Sequence, residues 1–196
     1  MASEPARRLS GTMDVHEFEA FLEGRPQQER WQLIQGNAVM MAPPNLVHQR
    51  IALNLRDLLT DGVRARGLDL FVYVDVGVRV PTAKNFQPQP DVLPGTAGCQ
   101  LFGERFSFVA EVISPSNTRK EIGLKLRRYR EAPDNLYVMI IEQRRVFAEV
   151  HARSRNWQPA AIRRADDLVE LPELGLRCVL GALYWGTPLD PRIRVA

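Results

Sequence analysis

Apolar positions along the chain follow two periods, and the switches between them predict most of its elements. Asp14 and Glu17 form a capping box ahead of Val15, Phe18, Phe21 and Leu22, so a short helix is expected up to the Gly24 and Pro26 break. Trp31 to Met41 reads as two short strands about Gln35, Gly36 and Asn37, a hairpin signal. His48, Ile51, Leu55, Leu58 and Leu59 share one face of a helix that stops near Gly67. Leu70, Val72, Val74, Val76, Val78 and Val80 then alternate with mostly polar positions, predicting one long strand.

Three prolines between Pro81 and Pro90 exclude a regular element there, so a strand opens at Asp91 and runs to Leu93, with a loop from Pro94 to Gly103. Phe106 to Ile113 reads as a strand with Phe106, Phe108, Ala110 and Val112 on one face and Ser107, Val109, Glu111 and Ile113 on the other. Thr118 and Glu121 form a second capping box, opening a helix to about Glu131 that Pro133 stops. Strands follow at Leu136 to Ile141 and Val146 to Val150, with further short strands at Trp157 to Ile162 and Leu168 to Leu171. The pattern is that of one α+β domain over residues 13–196, preceded by a tail, residues 1–12, expected to be disordered.

Composition narrows the picture rather than redirecting it. With 196 residues and 45% hydrophobic positions, the chain can build a core without staples, and its two cysteines, Cys99 and Cys178, are too few for a disulfide framework or a zinc cage. No run of 18 apolar residues and no apolar leader are present, so a cytoplasmic protein with no membrane partner is expected. A net charge of +3 permits nucleic-acid binding without arguing for it. Arg127, Arg128, Arg130, Arg144, Arg145, Arg163 and Arg164 read either as solvated faces or as phosphate contacts. All but three of the 26 basic residues are arginine, which draws attention to Lys84, Lys120 and Lys125.

Glu111 is the position hardest to explain as packing. It interrupts the apolar run Phe108, Val109, Ala110, Val112 and Ile113, where an unpaired carboxylate is costly to bury. A cation must balance it, and Asp91, opening the preceding strand, offers a second carboxylate for an oxygen-rich magnesium site. Lys125 falls on the inward stripe Ile122, Lys125, Leu126, Tyr129 of the following helix, within reach of Glu111, or else lays its stem over apolar surface with the ammonium in solvent.

These residues carry a resemblance. Pro90-Asp91, then Ala110-Glu111-Val112-Ile113-Ser114-Pro115-Ser116, then Glu121-Ile122-Gly123-Leu124-Lys125-Leu126 with Tyr129 resemble the Uma-two family of restriction endonucleases, a branch of the PD-(D/E)XK nuclease superfamily. The run Trp31 to Gly36, the segment Met41 to Pro44 with His48, and the tail about Leu171, Pro172 and Gly175 extend the resemblance from about Met13 to Tyr184. It implies a restriction-endonuclease-like α/β core, a mixed central sheet flanked by helices. It also implies a magnesium-dependent (manganese being possible) hydrolysis of DNA, and a homodimer. Asp91 and Glu111 match the metal-binding acids, and Lys125 matches a catalytic lysine moved to the helix, since Ile113 stands where the superfamily's usual lysine would be. His48, Tyr129 and Gln32 match positions that support the metal or the phosphate; Gln32, Gln35 and Asn37 replace residues that are acidic in the family. The Gln32 change leaves open a catalytically weakened nucleic-acid-binding or interaction protein on the same fold, and a small-molecule phosphoesterase is a third reading.

Overall fold

The structure is a computed structural model that describes the backbone of residues 8–9 and the whole of residues 11–26, 28–96, 102–114 and 117–193. Strands β1 (Arg8–Leu9), β2 (Trp31–Ile34) and β3 (Asn37–Met40) form a small antiparallel sheet in the order β1-β3-β2, which helix α1 (Val15–Glu23) covers. Two residues of the segment expected to be a tail, Arg8 and Leu9, thus pair with Val39 and Ala38. The hairpin stands where expected, because Gln35 and Gly36 both take positive φ, the geometry of a two-residue turn matched to strand twist.

The central sheet has six strands. They are β4 (Phe71–Val74), β6 (Val92–Gly95), β8 (Phe108–Ile113), β9 (Tyr137–Glu142), β10 (Ala148–Ala152) and β11 (Pro159–Ile162), and β5 (Gly77–Val78) pairs apart from them with β7 (Phe102–Gly103). The order is β11-β10-β9-β8-β6-β4, mixed in direction because β8 and β9 run parallel while every other pair is antiparallel. The connection between the parallel pair is helix α3 (Arg119–Glu131). Helix α2 (Leu46–Ala65) supplies Ile51, Leu55, Leu59 and Val63 to a core with Phe108, Ala110, Val112, Met139 and Ile141. On the other face Val109, Val138 and Ile140 meet Tyr129, Ile122 and Leu126 of α3. The strands β12 (Leu168–Leu171) and β13 (Leu176–Val179) form a hairpin packed against α2. Among the described residues no helix is long and apolar enough to cross a membrane.

Besides the tail, whose Arg8 and Leu9 form β1, and the expected loop from Pro94 to Gly103, whose last two described residues form β7, further expectations need correction. The predicted strand from Leu70 to Val80 breaks at Asp75, whose φ of 58° places it in the left-handed region and separates β4 from β5. An aspartate tolerates that conformation, and the uninterrupted alternation of valines hides it. The strand at Asp91 does not end at Leu93: Pro94 lies within β6, opposite Val72. Pairing of β6 with β8 is confined to Val92 and Ala110, with an isolated bridge at Gly95, so a residue without an N–H is tolerated between them. Phe106 belongs with Val109 and not with Phe108, because β8 begins only at Phe108. Cys99, Pro115 and Ser116 lie outside the described residues.

Helix α2 is anchored at its far end by a close approach. A Cβ built on Gly62 would lie 2.8 Å from the Leu174 carbonyl oxygen and from the Gly175 backbone. Gly62→Ala should therefore cost about 1–2 kcal/mol, overpacking outweighing the gain in helix propensity. A urea denaturation midpoint equal to or above that of the wild type would contradict this.

Candidate active site

The site lies at one end of the central sheet, where the start of β6, the end of β8 and the first turn of α2 meet. Asp91 precedes β6, and its N–H donates to the Ala110 carbonyl at 3.1 Å while its Oδ2 accepts from the Val112 N–H at 2.7 Å. These bonds tie Asp91 to both residues that flank Glu111. Asn45 caps α2 by accepting from the His48 N–H, and the helix so begun directs His48 Nε2 to Asp91 Oδ1 at 2.8 Å.

Glu111 sits mid-strand in β8 with alternate neighbours in the core, so its carboxylate is delivered to the α3 face of the sheet. Lys125 Nζ donates to both of its oxygens, at 3.0 and 2.8 Å, and the Tyr129 hydroxyl donates to Oε1 at 2.5 Å. Residues four apart on a helix share a face, which is why Lys125 and Tyr129 reach the same carboxylate. Asp91, Glu111 and Lys125 are only 5%, 8% and 8% exposed, and Tyr129 is wholly buried with its ring edge-on to Phe86. Of the alternatives read from sequence for Lys125, the paired one describes the structure: the ammonium does not escape to solvent.

Burial pushes the Glu111 carboxyl up from its ordinary range; the charge and hydrogen bonds of Lys125 and the Tyr129 bond oppose this, the Asp91 charge adds to it, and the net direction is upward. Tyr129 is held far above its usual value, first by burial and then by the Glu111 charge, so it stays a donor. Burial draws His48 down, but the hydrogen bond and charge of Asp91, joined by Asp75 and Glu111, outweigh it and hold the imidazole above its ordinary value.

Gln32 is different. It lies in β2 opposite Val39, and its Oε1 is buried without a hydrogen-bond partner. The structure brings Asp91, Glu111, Lys125, His48 and Tyr129 into one bonded cluster, and no hydrogen bond ties Gln32 to it. It also adds Asp75, which the alternating pattern assigns to the polar side of a continuous strand. Asp75 donates its N–H to the Asp91 carbonyl at 3.2 Å, its carboxylate pairs with Arg30, and its charge acts on His48. Nothing in the alternating valines marks the break that turns it toward the site.

The donor chemistry suits a hard cation. Asp91 and Glu111 are the two carboxylates of the cluster, their oxygens accepting from His48, the Val112 N–H, Lys125 and Tyr129, and among the described residues no group of three or more His, Cys, Asp or Glu could cage an ion. Such a pair fits magnesium or manganese, which are held by one or two carboxylates and keep much of their water, and does not fit a closed zinc site.

Known proteins are similar to this chain in family and in fold. The family model of Uma2, described as putative restriction endonuclease, matches residues 15–181. Among solved structures, a putative nuclease belonging to DUF820 from Anabaena variabilis ATCC 29413 is similar, with a TM-score of 0.71 and 12% sequence identity over 88% of this chain and 97% of that one. That likeness shows the fold. No curated protein matches the chain.

The imidazole shift has a sign that can be tested. A raised folded value means that His48 contributes stability present in full below about pH 6.5 and lost as the pH climbs through the folded value. The stability difference between wild type and His48→Gln, measured by urea denaturation with chelator present, should be largest near pH 6 and shrink toward about pH 8.5. A difference that is constant or grows with pH would contradict the His48 and Asp91 pairing.

Proposed function

Since the chain belongs to the Uma2 family of putative restriction endonucleases, we propose that it is a divalent-metal-dependent endonuclease that hydrolyses phosphodiester bonds in DNA, with Asp91, Glu111 and Lys125 as its catalytic residues. The observation that carries this reading is the buried Lys125 and Tyr129 pair converging on Glu111, beside an Asp91 hydrogen-bonded to the residues on either side of it.

Asp91 and Glu111 would hold the ion, magnesium or manganese. Bound there, it supplies a water activated near neutral pH and compensation for charge developing on the phosphate. Lys125, buried and held on Glu111 by two hydrogen bonds, stands in a dry position where a polar group is worth more than in water for orienting the attacking water and stabilising the transition state. Tyr129 fixes one oxygen of Glu111, leaving the carboxylate a single orientation. His48 does the same for Asp91 and, as an imidazolium, lowers the negative charge that a phosphate meets on approach.

Gln32 favours a second reading, a nucleic-acid-binding protein with weakened catalysis. It is a neutral amide where the resemblance sets an acid, and it makes no bond to the cluster. Cleavage separates the two.

Plasmid DNA incubated with the protein and magnesium or manganese should be nicked or linearised. Asp91→Ala should abolish this, and Lys125→Met should slow it by at least about 100-fold, the scale of a lost proton-handling or electrostatic group. Lys120→Met, on the exposed face of the same helix, should match the wild type. Circular dichroism establishes that each variant is folded. Equal cleavage by Lys125→Met and wild type would remove the lysine from the mechanism, and no cleavage by wild type with either metal would favour the second reading.

A further inference from the structure

The ends of the strands place more than the carboxylates on one rim of the sheet. Ile113 pairs with Glu142, Ala148 with Ile141, and Ile162 with Ala148, so the β9–β10 turn and the end of β11 lie on the same rim as the end of β8. On that rim the Phe147 ring is flanked by two guanidiniums, Arg145 at 4.5 Å and Arg163 at 5.2 Å from its centroid. Arg145 is paired with Glu142, whereas exposed Arg144 and Arg163 make no ion pair among the described residues. Two strand spacings separate β8 from β10, so these cations begin roughly 10 Å from the catalytic strand.

An exposed indole and another arginine stand on the segments joined to this turn and to α2. The Tyr184 hydroxyl accepts from the Phe147 N–H at 3.0 Å and lies 2.9 Å from the Glu142 carbonyl, which ties the residue before Trp185 to the same turn. Asn54 of α2 donates to the Trp185 carbonyl at 2.8 Å, tying this segment to the helix that carries His48. Arg50, one turn before Asn54, lies along Gly186: a Cβ there would be 3.6 Å from its Nε. Arg50 is exposed and makes no ion pair among the described residues. Trp185 is 41% exposed, and the Arg192 guanidinium, itself locked to Asp190, stands 4.4 Å from its ring. One side of the indole is therefore clamped by protein while much of the residue faces solvent.

Resting on the nuclease reading, we infer that this rim is a track for a single-stranded DNA segment leading away from the catalytic pair, with Arg50, Arg144 and Arg163 on its phosphates and one base stacked on Trp185. The charges answer the occupant's charge. Mobile surface arginines would serve any polyanion, but a rigid exposed indole requires an unpaired base with a free π-face, and a base within a duplex is already stacked on both sides. The track is continuous with the site through α2, whose His48 lies two residues from Arg50.

Binding measured in chelator, where no cleavage takes place, tests the track. The probe is a fluorescein-labelled single strand of about 20 nucleotides, or the same sequence as a duplex, read by fluorescence anisotropy. Trp185→Ala should weaken single-strand binding by about 5- to 100-fold, the loss of one stacked base, and Trp185→Phe should recover most of it. The duplex should lose much less. Arg144→Gln with Arg163→Gln should lower the slope of log affinity against log salt by about 1.4 on the single strand, near 0.7 for each phosphate no longer neutralised. Arg177→Gln, on the β12–β13 hairpin and paired with Glu170, is the control and should bind as wild type does. Unchanged affinity and slope in the rim variants, equal losses on duplex and single strand, or no DNA binding by the wild type would each overturn the inference. Normal binding without cleavage would instead fail the catalytic reading alone.

Discussion

One carboxylate sets the terms for the rest of this structure. Glu111 stands in the middle of a buried strand, and an isolated charge there would cost far more than the marginal stability of a domain allows. The fold answers with a lysine held in two hydrogen bonds and a tyrosine held in one, both from a single helix. For that to work α3 must lie across β8 and β9 with one particular face inward, which fixes the helix's rotation as well as its position. The right charge in the wrong rotation would leave Glu111 bare.

The same requirement reaches the other side of the sheet. Asp91 is tied to the backbone on both sides of Glu111 and is capped by His48 from α2, so the two helices that flank the sheet each hold one of the two acids. Buried ion pairs are poor sources of stability compared with apolar residues of the same volume. A protein that keeps two carboxylates, an ammonium and an imidazole in one place is better explained by what the group does than by what it adds to folding. Burial raises the Glu111 carboxyl, and the hydrogen bond and charge of Asp91 hold His48 up against its own burial.

How much of this is legible in the sequence depends on the range of the interaction. Lys125 and Tyr129 are readable because helical periodicity places them on the stripe with Ile122 and Leu126, and Glu111 because it breaks an apolar run. Both signals are local. The bond between His48 and Asp91 joins residues on different elements, and no periodicity encodes it; only the family resemblance points to His48. Asp75 escapes notice for the opposite reason, since alternating valines continue through it and mask a left-handed residue that ends β4. Pro94 reads as the end of a strand that the sheet in fact continues, because the absence of a paired neighbour is a property of topology and not of the segment. Trp185 carries no signal at all: an apolar ring in the tail reads as core, whereas it stands 41% exposed.

The central claim is that Asp91 and Glu111 together form a divalent-cation site. Calorimetric titration of the metal-free protein with manganese tests it most directly. The account predicts saturable binding near one ion per chain for the wild type and its loss in both Asp91→Ala and Glu111→Ala. Binding that survives either substitution unchanged, or a wild-type protein that takes up no manganese, would contradict it.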